Sequence, residues 1–419
     1  MKRTGISKFE KRFSLPHPDR WQDPSLFYNR LVNATEDYRK EISDVYFGVS
    51  FSYKYHGTYR KYGEVMGAEA SDKAIRMLLK VQENFGIPIS LTLNDMRQPR
   101  ELVTDSNLIK EFVRFIGHFY EAGIRRCTIS HVHLMNLGVL QDKFPEMHWK
   151  NTVNHQVRSP QEVIDYASLG YKTIVLDRCL NRNISELRRI KPIADKYKIE
   201  IALLASEGCM PACPFKQEHD SWQAQLEHTG DNYWKSVGVN TCSHIRKEKA
   251  LISEMDRYAL PRTSTDVIWV DREDFDTYAD LIDVFKSWGR LISEPPKEYI
   301  KQIACWVFTP TERAIRDFAT NKLIWASSFK EIYENRLIPF NAWRFNSYVH
   351  GGNGEKNWDM LGEVNATNPW LSDKGRSLSQ KLQNCKSQCY KCHACEHLYN
   401  VEEFDSIINW RKSTKKTEK

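Results

Sequence analysis

The feature that most constrains this 419-residue chain is a regular alternation of short apolar strand-like runs with amphipathic helical runs over about 250 residues. Strands are expected at 44–55, 87–93, 126–132, 147–157, 173–176, 199–205 and 267–270, with an eighth near 291. Helical spacing lies between them, at 70–85, 108–122, 134–143, 159–170, 184–197 and 275–288. Parallel strands need a crossover between each pair, and a helix is the usual crossover, so this alternation predicts a parallel α/β sheet. Seven or eight repeats in that length match a TIM-type (β/α)8 barrel. A doubly wound open sheet is the competing fold. No G-x-G-x-x-G follows the first strand, which weighs against it.

The rhythm divides the chain. Residues 1–42 read as an N-terminal extension with one helix and 43–295 as the barrel. Residues 206–265, which have no period, form a long connection after the sixth strand. Residues 296–410 read as a mainly helical and irregular C-terminal extension, helical at 297–308 and 310–318. Residues 411–419 read as a disordered basic tail. There is no apolar run long enough to span a bilayer, and the N-terminus lacks the apolar stretch of a signal peptide, so a cytoplasmic setting without membrane contact is expected. The net charge of +7 permits a nucleic-acid partner without requiring one. Eleven of the twelve tryptophans follow position 140; base stacking is one use for them and core packing the more ordinary one.

Ten cysteines in a reducing compartment favour metal ligation over disulfides. Cys385, Cys389, Cys392 and Cys395 form a C-x3-C-x2-C-x2-C run, whose four thiolates suit either an iron–sulfur cluster or a tetrahedral zinc. The first three alone have the spacing with which radical enzymes hold a cluster that binds S-adenosylmethionine. Upstream, Cys209 and Cys213 follow Glu207 just beyond a barrel strand, where they would clamp one edge of a cluster, with Cys242 as a third ligand. Cys179, Cys305 or an open iron site remain for the fourth position. Cys127 lies within a strand and reads as core. Polar residues end several strands: Asn94-Asp95, Ser130-His131, Asn154-His155 and Asp177-Arg178. In a barrel these point to the mouth, where a substrate is oriented or protons move; each taken singly reads more readily as a cap or loop hydrogen bond, and it is the set that points to a site. Glu207 is the general acid/base candidate. Gly351-Gly352-Asn353-Gly354, with no helix after it, reads as a turn.

The order of Phe144-Pro145-Glu146-Met147-His148, Val157-Arg158-Ser159-Pro160-Gln161-Glu162-Val163 and the stretch 167–178 resembles the barrel core of the collagenase-like (U32) peptidase family. Glu207-Gly208-Cys209, Cys213-Pro214 and the Lys-x-x-Gly-Arg element Lys286–Arg290 resemble it too, so the likeness spans roughly 44–300. The resemblance implies an oxygen-independent hydroxylase type carrying a 4Fe–4S cluster on four cysteines. Such an enzyme acts on an RNA base or a small aromatic molecule and is served by an electron-donor protein. It implies Cys209, Cys213 and Cys242 as cluster ligands and Lys286 and Arg290 at the mouth. His155, Asp177, Arg178 and Glu207 complete the expected catalytic set. The chain departs from the family in the tight spacing of its first cysteine pair and in its C-terminal run, which suggests a second centre, a 4Fe–4S cluster or zinc. Neither H-E-x-x-H nor G-x-S-x-G is present, so protease chemistry is not expected. Two alternatives stand beside this reading: a radical S-adenosylmethionine enzyme using the C-terminal triad, and a non-catalytic, zinc-stabilised RNA-binding protein.

Overall fold

The structure, a computed structural model, describes residues 8–17, 25–64, 70–205, 216, 272–286, 313–316, 323–326, 330, 373–386, 388–392 and 394. Its strands are β1 (Phe13–Pro16), β2 (Ile42–Gly48), β3 (Ser50–Tyr55), β4 (Thr58–Gly63), β5 (Ile89–Leu93), β6 (Arg126–Ile129), β7 (His148–Lys150), β8 (Thr173–Val175), β9 (Glu200–Leu204) and β10 (Val284–Lys286). Eight of them pair in parallel and close into a barrel in the order β1-β10-β9-β8-β7-β6-β5-β2. The expected α/β barrel is therefore the observed fold. β3 and β4 form a separate antiparallel hairpin.

Local chemistry sets the helices between the strands. Helix Asp72–Phe85 starts on Ser71, whose hydroxyl accepts from the Ala74 amide, and stops at Gly86, which takes the left-handed conformation that glycine adopts freely. Helix Ser106–Glu121 starts on Asp105 and buries Leu108, Phe112, Ile116 and Phe119 along one face. Complete burial of a side chain such as Phe112 contributes about 1.5–3 kcal/mol. Helix Pro160–Ser168 opens with a full capping box between Ser159 and Glu162, with proline in the first turn.

Alternation along each strand sorts side chains into two cores. Val45, Phe47, Ile89, Leu91, Cys127, Ile129, Trp149, Ile174, Ile201, Leu203 and Phe285 join the large apolar core beneath the helices. Val175, Ala202 and Val284, with Val153 against them, form a second and smaller cluster on the other face, inside the barrel. β7 and β8 share only the pair Lys150–Thr173. The Asn151 side chain extends that seam: its Oδ1 accepts from the Val175 amide at 2.6 Å and its Nδ2 donates to the Val175 carbonyl at 3.3 Å.

Several boundaries differ from the sequence expectations. The barrel begins at Phe13–Pro16, inside the stretch read as an N-terminal extension; four residues ending in proline carry no visible strand period. The 44–55 run is two elements, β2 and the first strand of the hairpin. The 134–143 helix is two short ones, Val132–Asn136 and Val139–Lys143, divided at Gly138 with φ 74°. The 147–157 strand shrinks to His148–Lys150, followed by a 3-10 turn at Val153–His155. The expected helix 275–288 is helix Arg272–Ala279 and then strand β10, where helix-type spacing hid a strand three residues long. Within 310–318, read as helix, Arg313–Arg316 is a strand paired antiparallel with Leu323–Ala326. The strand expected at 267–270, the one near 291 and the helix at 297–308 lie outside the described residues.

Helix Asp373–Leu382 buries Leu378 and Leu382. The chain after it is stitched to the barrel. The Ile184 amide donates to the Gln383 carbonyl at 2.8 Å, Asn183 and Asn384 form an antiparallel bridge, and the Cys385 amide donates to the Arg182 carbonyl at 2.9 Å. The Gln383 side chain also bonds the buried Asp274 carboxylate. Among the described residues no helix is long and apolar enough to cross a membrane.

Candidate functional site

The barrel interior is charged. Lys150 of β7 reaches Asp44 of β2 at 2.5 Å, although two strands separate them in the barrel, so the contact crosses the lumen. Ser14 of β1 donates to the other Asp44 oxygen. Arg126 of β6 lies 3.8 Å from Asp44 and 3.6 Å from Glu200 of β9, again across the interior. Below these, Thr173 donates to Glu200 at 2.5 Å, and the His148 ring nitrogen Nε2 contacts the Thr173 hydroxyl at 2.5 Å.

Burial alone would raise the Asp44 carboxyl. Lys150, Arg126 and the two hydrogen bonds outweigh it and hold the group down to about 2. Burial, reinforced by Arg126 and Lys150, pushes His148 down to about 3, so its imidazole is neutral at physiological pH.

Lys286 closes β10 at the mouth end. It is half-buried, its Nζ sits 4.1 Å from the centre of the Tyr46 ring, and it has no carboxylate partner among the described residues. Burial is the main cause that brings its ammonium down to about 7; Lys150 and Arg178 push the same way and Asp44 opposes them. Arg178 donates to Asn154 Oδ1 at 3.1 Å at the same mouth. Nearby, Ser90, Thr92 and Thr128 are buried lumen residues whose hydroxyls have no partner. Thr128 is the register partner of Lys150, and Ser90 that of Tyr46.

The expected strand-end residues are brought together at this mouth, but several are engaged in holding the backbone. His131 caps the helix after β6 by accepting from the Leu134 amide, and its other nitrogen meets the Pro99 carbonyl at 3.0 Å. His155 Nε2 meets the Ser130 carbonyl at 2.8 Å, and its ring packs on Tyr166 and Tyr171. Burial, only partly offset by that carbonyl, brings His155 down to about 4. Asp177 caps the turn after β8 by accepting from the Cys179 amide at 2.6 Å and pairs with Arg158 at 3.0 Å. Asp95 forms a two-pronged pair with Arg97. Arg178 and Lys286 are the two members of the expected set that face one another electrostatically.

The thiols are described in part. Cys127 is a buried core residue, and burial pushes its thiol up. Cys179 sits half-buried in the 3-10 turn Arg178–Arg182, directly after β8 at the mouth. Cys385 is half-buried and bonded through its backbone to the end of that same turn. Cys389–Cys392 is a single helical turn, with Cys392 exposed. Glu207, Cys209, Cys213, Cys242, Arg290 and Cys395 lie outside the described residues. Among the described residues no three ligating side chains converge.

Sequence reasoning did not single out Asp44, Lys150, Arg126, Glu200 or Tyr46. The available signal was a charge at an alternating position in a strand that is otherwise apolar: Asp44 between Ser43 and Val45, and Lys150 after Trp149.

No family model and no curated protein matches this chain. Among solved structures it is similar to the U32 peptidase Mk0906, at 12% identity and a TM-score of 0.45, over 71% of this chain and 98% of that one. A putative alpha-L-fucosidase from Bacteroides thetaiotaomicron is similar at 11% identity and a TM-score of 0.31, over 55% of this chain and 89% of that one.

Proposed function

We propose that this chain is a cytoplasmic iron–sulfur redox enzyme of the oxygen-independent hydroxylase type, working at the C-terminal mouth of its barrel. The observation that supports this reading is the backbone bond from Cys385, the first of the four-cysteine run, to the Arg182 carbonyl at the end of the turn that carries Cys179. That turn begins at Arg178, which follows β8 at the mouth. Soft thiolate donors suit an iron–sulfur cluster, which would supply one-electron transfer next to a bound substrate. Cys209, Cys213 and Cys242 are the proposed ligands of a mouth cluster, and Cys385, Cys389, Cys392 and Cys395 those of a second centre fed by an electron-donor protein.

An RNA base as substrate draws support from the β3–β4 hairpin beside the mouth. It exposes Lys54, His56, Tyr59, Arg60 and Lys61, with Tyr59 at 79% exposure. Lys54 lies 5.6 Å from the Tyr59 ring centre and Arg60 lies 5.2 Å from that of Tyr55. Exposed aromatics interleaved with cations are the elements of a single-strand binding surface. A small aromatic substrate is the other branch.

The visible absorption of anaerobically purified protein tests the proposal. Sulfide-to-iron charge-transfer bands are expected, reduced by about half in Cys209→Ser and in Cys385→Ser, as two independent centres require. A colourless protein that holds zinc would overturn it. Reductive cleavage of S-adenosylmethionine that is lost in Cys392→Ser would transfer the assignment to a radical enzyme.

A further inference from the structure

The interior of this barrel combines a network of charges with a small apolar cluster, and this arrangement is independent of any metal. β2, β5, β6 and β7 contribute Asp44, Tyr46, Ser90, Thr92, Arg126, Thr128 and Lys150 to the lumen; β8, β9 and β10 add Thr173, Glu200 and Lys286 together with the apolar cluster Val175, Ala202 and Val284. TIM-type barrels ordinarily fill this space with branched apolar side chains. Here the interior carries more cation than anion, with Arg126, Lys150 and Lys286 against Asp44 and Glu200. Asp44 is taken up by Lys150 and Ser14, and Glu200 by Arg126 and Thr173. Lys286 is left with an aromatic ring beneath it and no acid among the described residues. A desolvated cation without a counter-charge is costly, and hydroxyls buried without partners at Ser90, Thr92 and Thr128 are unusual in a finished core.

We propose that the mouth of the lumen binds a small amphiphilic acid. Its anionic group, a carboxylate or a phosphate, lies on Lys286 with Arg178 and Asn154 beside it, and its apolar body lies against Val153 at the edge of the Val175–Ala202–Val284 cluster. Lys286, Arg178, Asn154 and Val153 are all partly exposed, so they are reachable from the mouth, whereas Lys150 and Asp44 are buried. The Tyr46 ring fixes the ammonium from one side and leaves its remaining donors for the ligand. The apolar cluster selects an acid with a short hydrocarbon or ring body over a bare inorganic anion.

The test is thermal unfolding of the full chain titrated with acetate, butyrate or inorganic phosphate at constant ionic strength. A saturable rise in midpoint reports binding to the folded state. Butyrate is expected to act at lower concentration than acetate. Lys286→Met should weaken butyrate about 10- to 100-fold, as loss of a charged hydrogen bond does, and Lys286→Arg should largely restore it. Val153→Thr should narrow the gap between butyrate and acetate. Saturation by phosphate below the butyrate range, lost in Lys286→Met, would assign the anionic group as a phosphate. Non-saturable rises, or rises equal in wild type and Lys286→Met, would reflect general salt effects and overturn the proposal. Because the titration does not depend on iron content, its failure is separate from failure of the redox assignment.

Discussion

Asp44 shows how strongly one buried charge commits its surroundings. It is fully buried, and Lys150 is the partner that keeps it ionised. Lys150→Met strands that carboxylate and is expected to cost about 3–5 kcal/mol in denaturant unfolding, whereas Asp44→Asn combined with Lys150→Met should recover a good part of the loss. The pH dependence has a definite sign. The Asp44 carboxyl is held at about 2, below its unfolded value, so its contribution is present above about pH 4 and is lost as pH falls through about 2. His148, held down to about 3, acts one window higher. The unfolded chain binds its proton near pH 6.5 and the folded chain does not, so stability falls as pH drops from about 6.5 towards 3. His148→Asn should flatten that part of the curve in acid titrations followed by circular dichroism. Lys286 works in alkali: with its ammonium at about 7 when folded, the cost of charging it is present below pH 7 and is relieved as pH rises from 7 towards its unfolded value of about 10.4. Lys286→Met should therefore gain most over wild type at neutral and acid pH, and the gain should shrink towards pH 10.

At the scale of elements, the hairpin and the C-terminal stitch carry the functional argument, and both rest on close backbone approaches. A Cβ on Gly63 would lie 2.3 Å from the Val49 carbonyl oxygen and 2.5 Å from Ser50 Cα, at the base of the hairpin. Gly63→Ala should therefore force the hairpin to shift, at a cost of about 1–3 kcal/mol, and weaken salt-dependent binding of single-stranded RNA if that branch holds. Leu382 is buried just before the stitch to Arg182. Leu382→Ala is expected to cost about 2–5 kcal/mol locally and to make the segment leading into the cysteine run cleavable in limited proteolysis while the barrel persists. The same elements show what a sequence displays and what it hides. Ser159 with Glu162, Asp105 and Gly86 are strong local signals, and the helices they bound were legible. β1, β7, β8 and β10 span three or four residues each, too short to show a period of two, and only barrel closure makes them strands. The lumen charges were illegible for a related reason. A lone Asp or Lys in a short strand looks like an interruption until the barrel brings strands from opposite sides within reach.

At the scale of the molecule, the barrel encloses a charged lumen, and the chain after helix Asp373–Leu382 is bonded back to the turn and helix that follow β8. The cysteine pattern was readable from sequence; its attachment to the Arg182 carbonyl was not, because backbone pairing between residues some two hundred positions apart leaves no local trace. The central claim is that these thiols hold iron–sulfur centres. The measurement that tests it most directly is the content of iron, acid-labile sulfide and zinc in the full chain purified without oxygen. The account predicts roughly eight irons and eight sulfides per chain, as two four-iron clusters require; zinc without sulfide would contradict it.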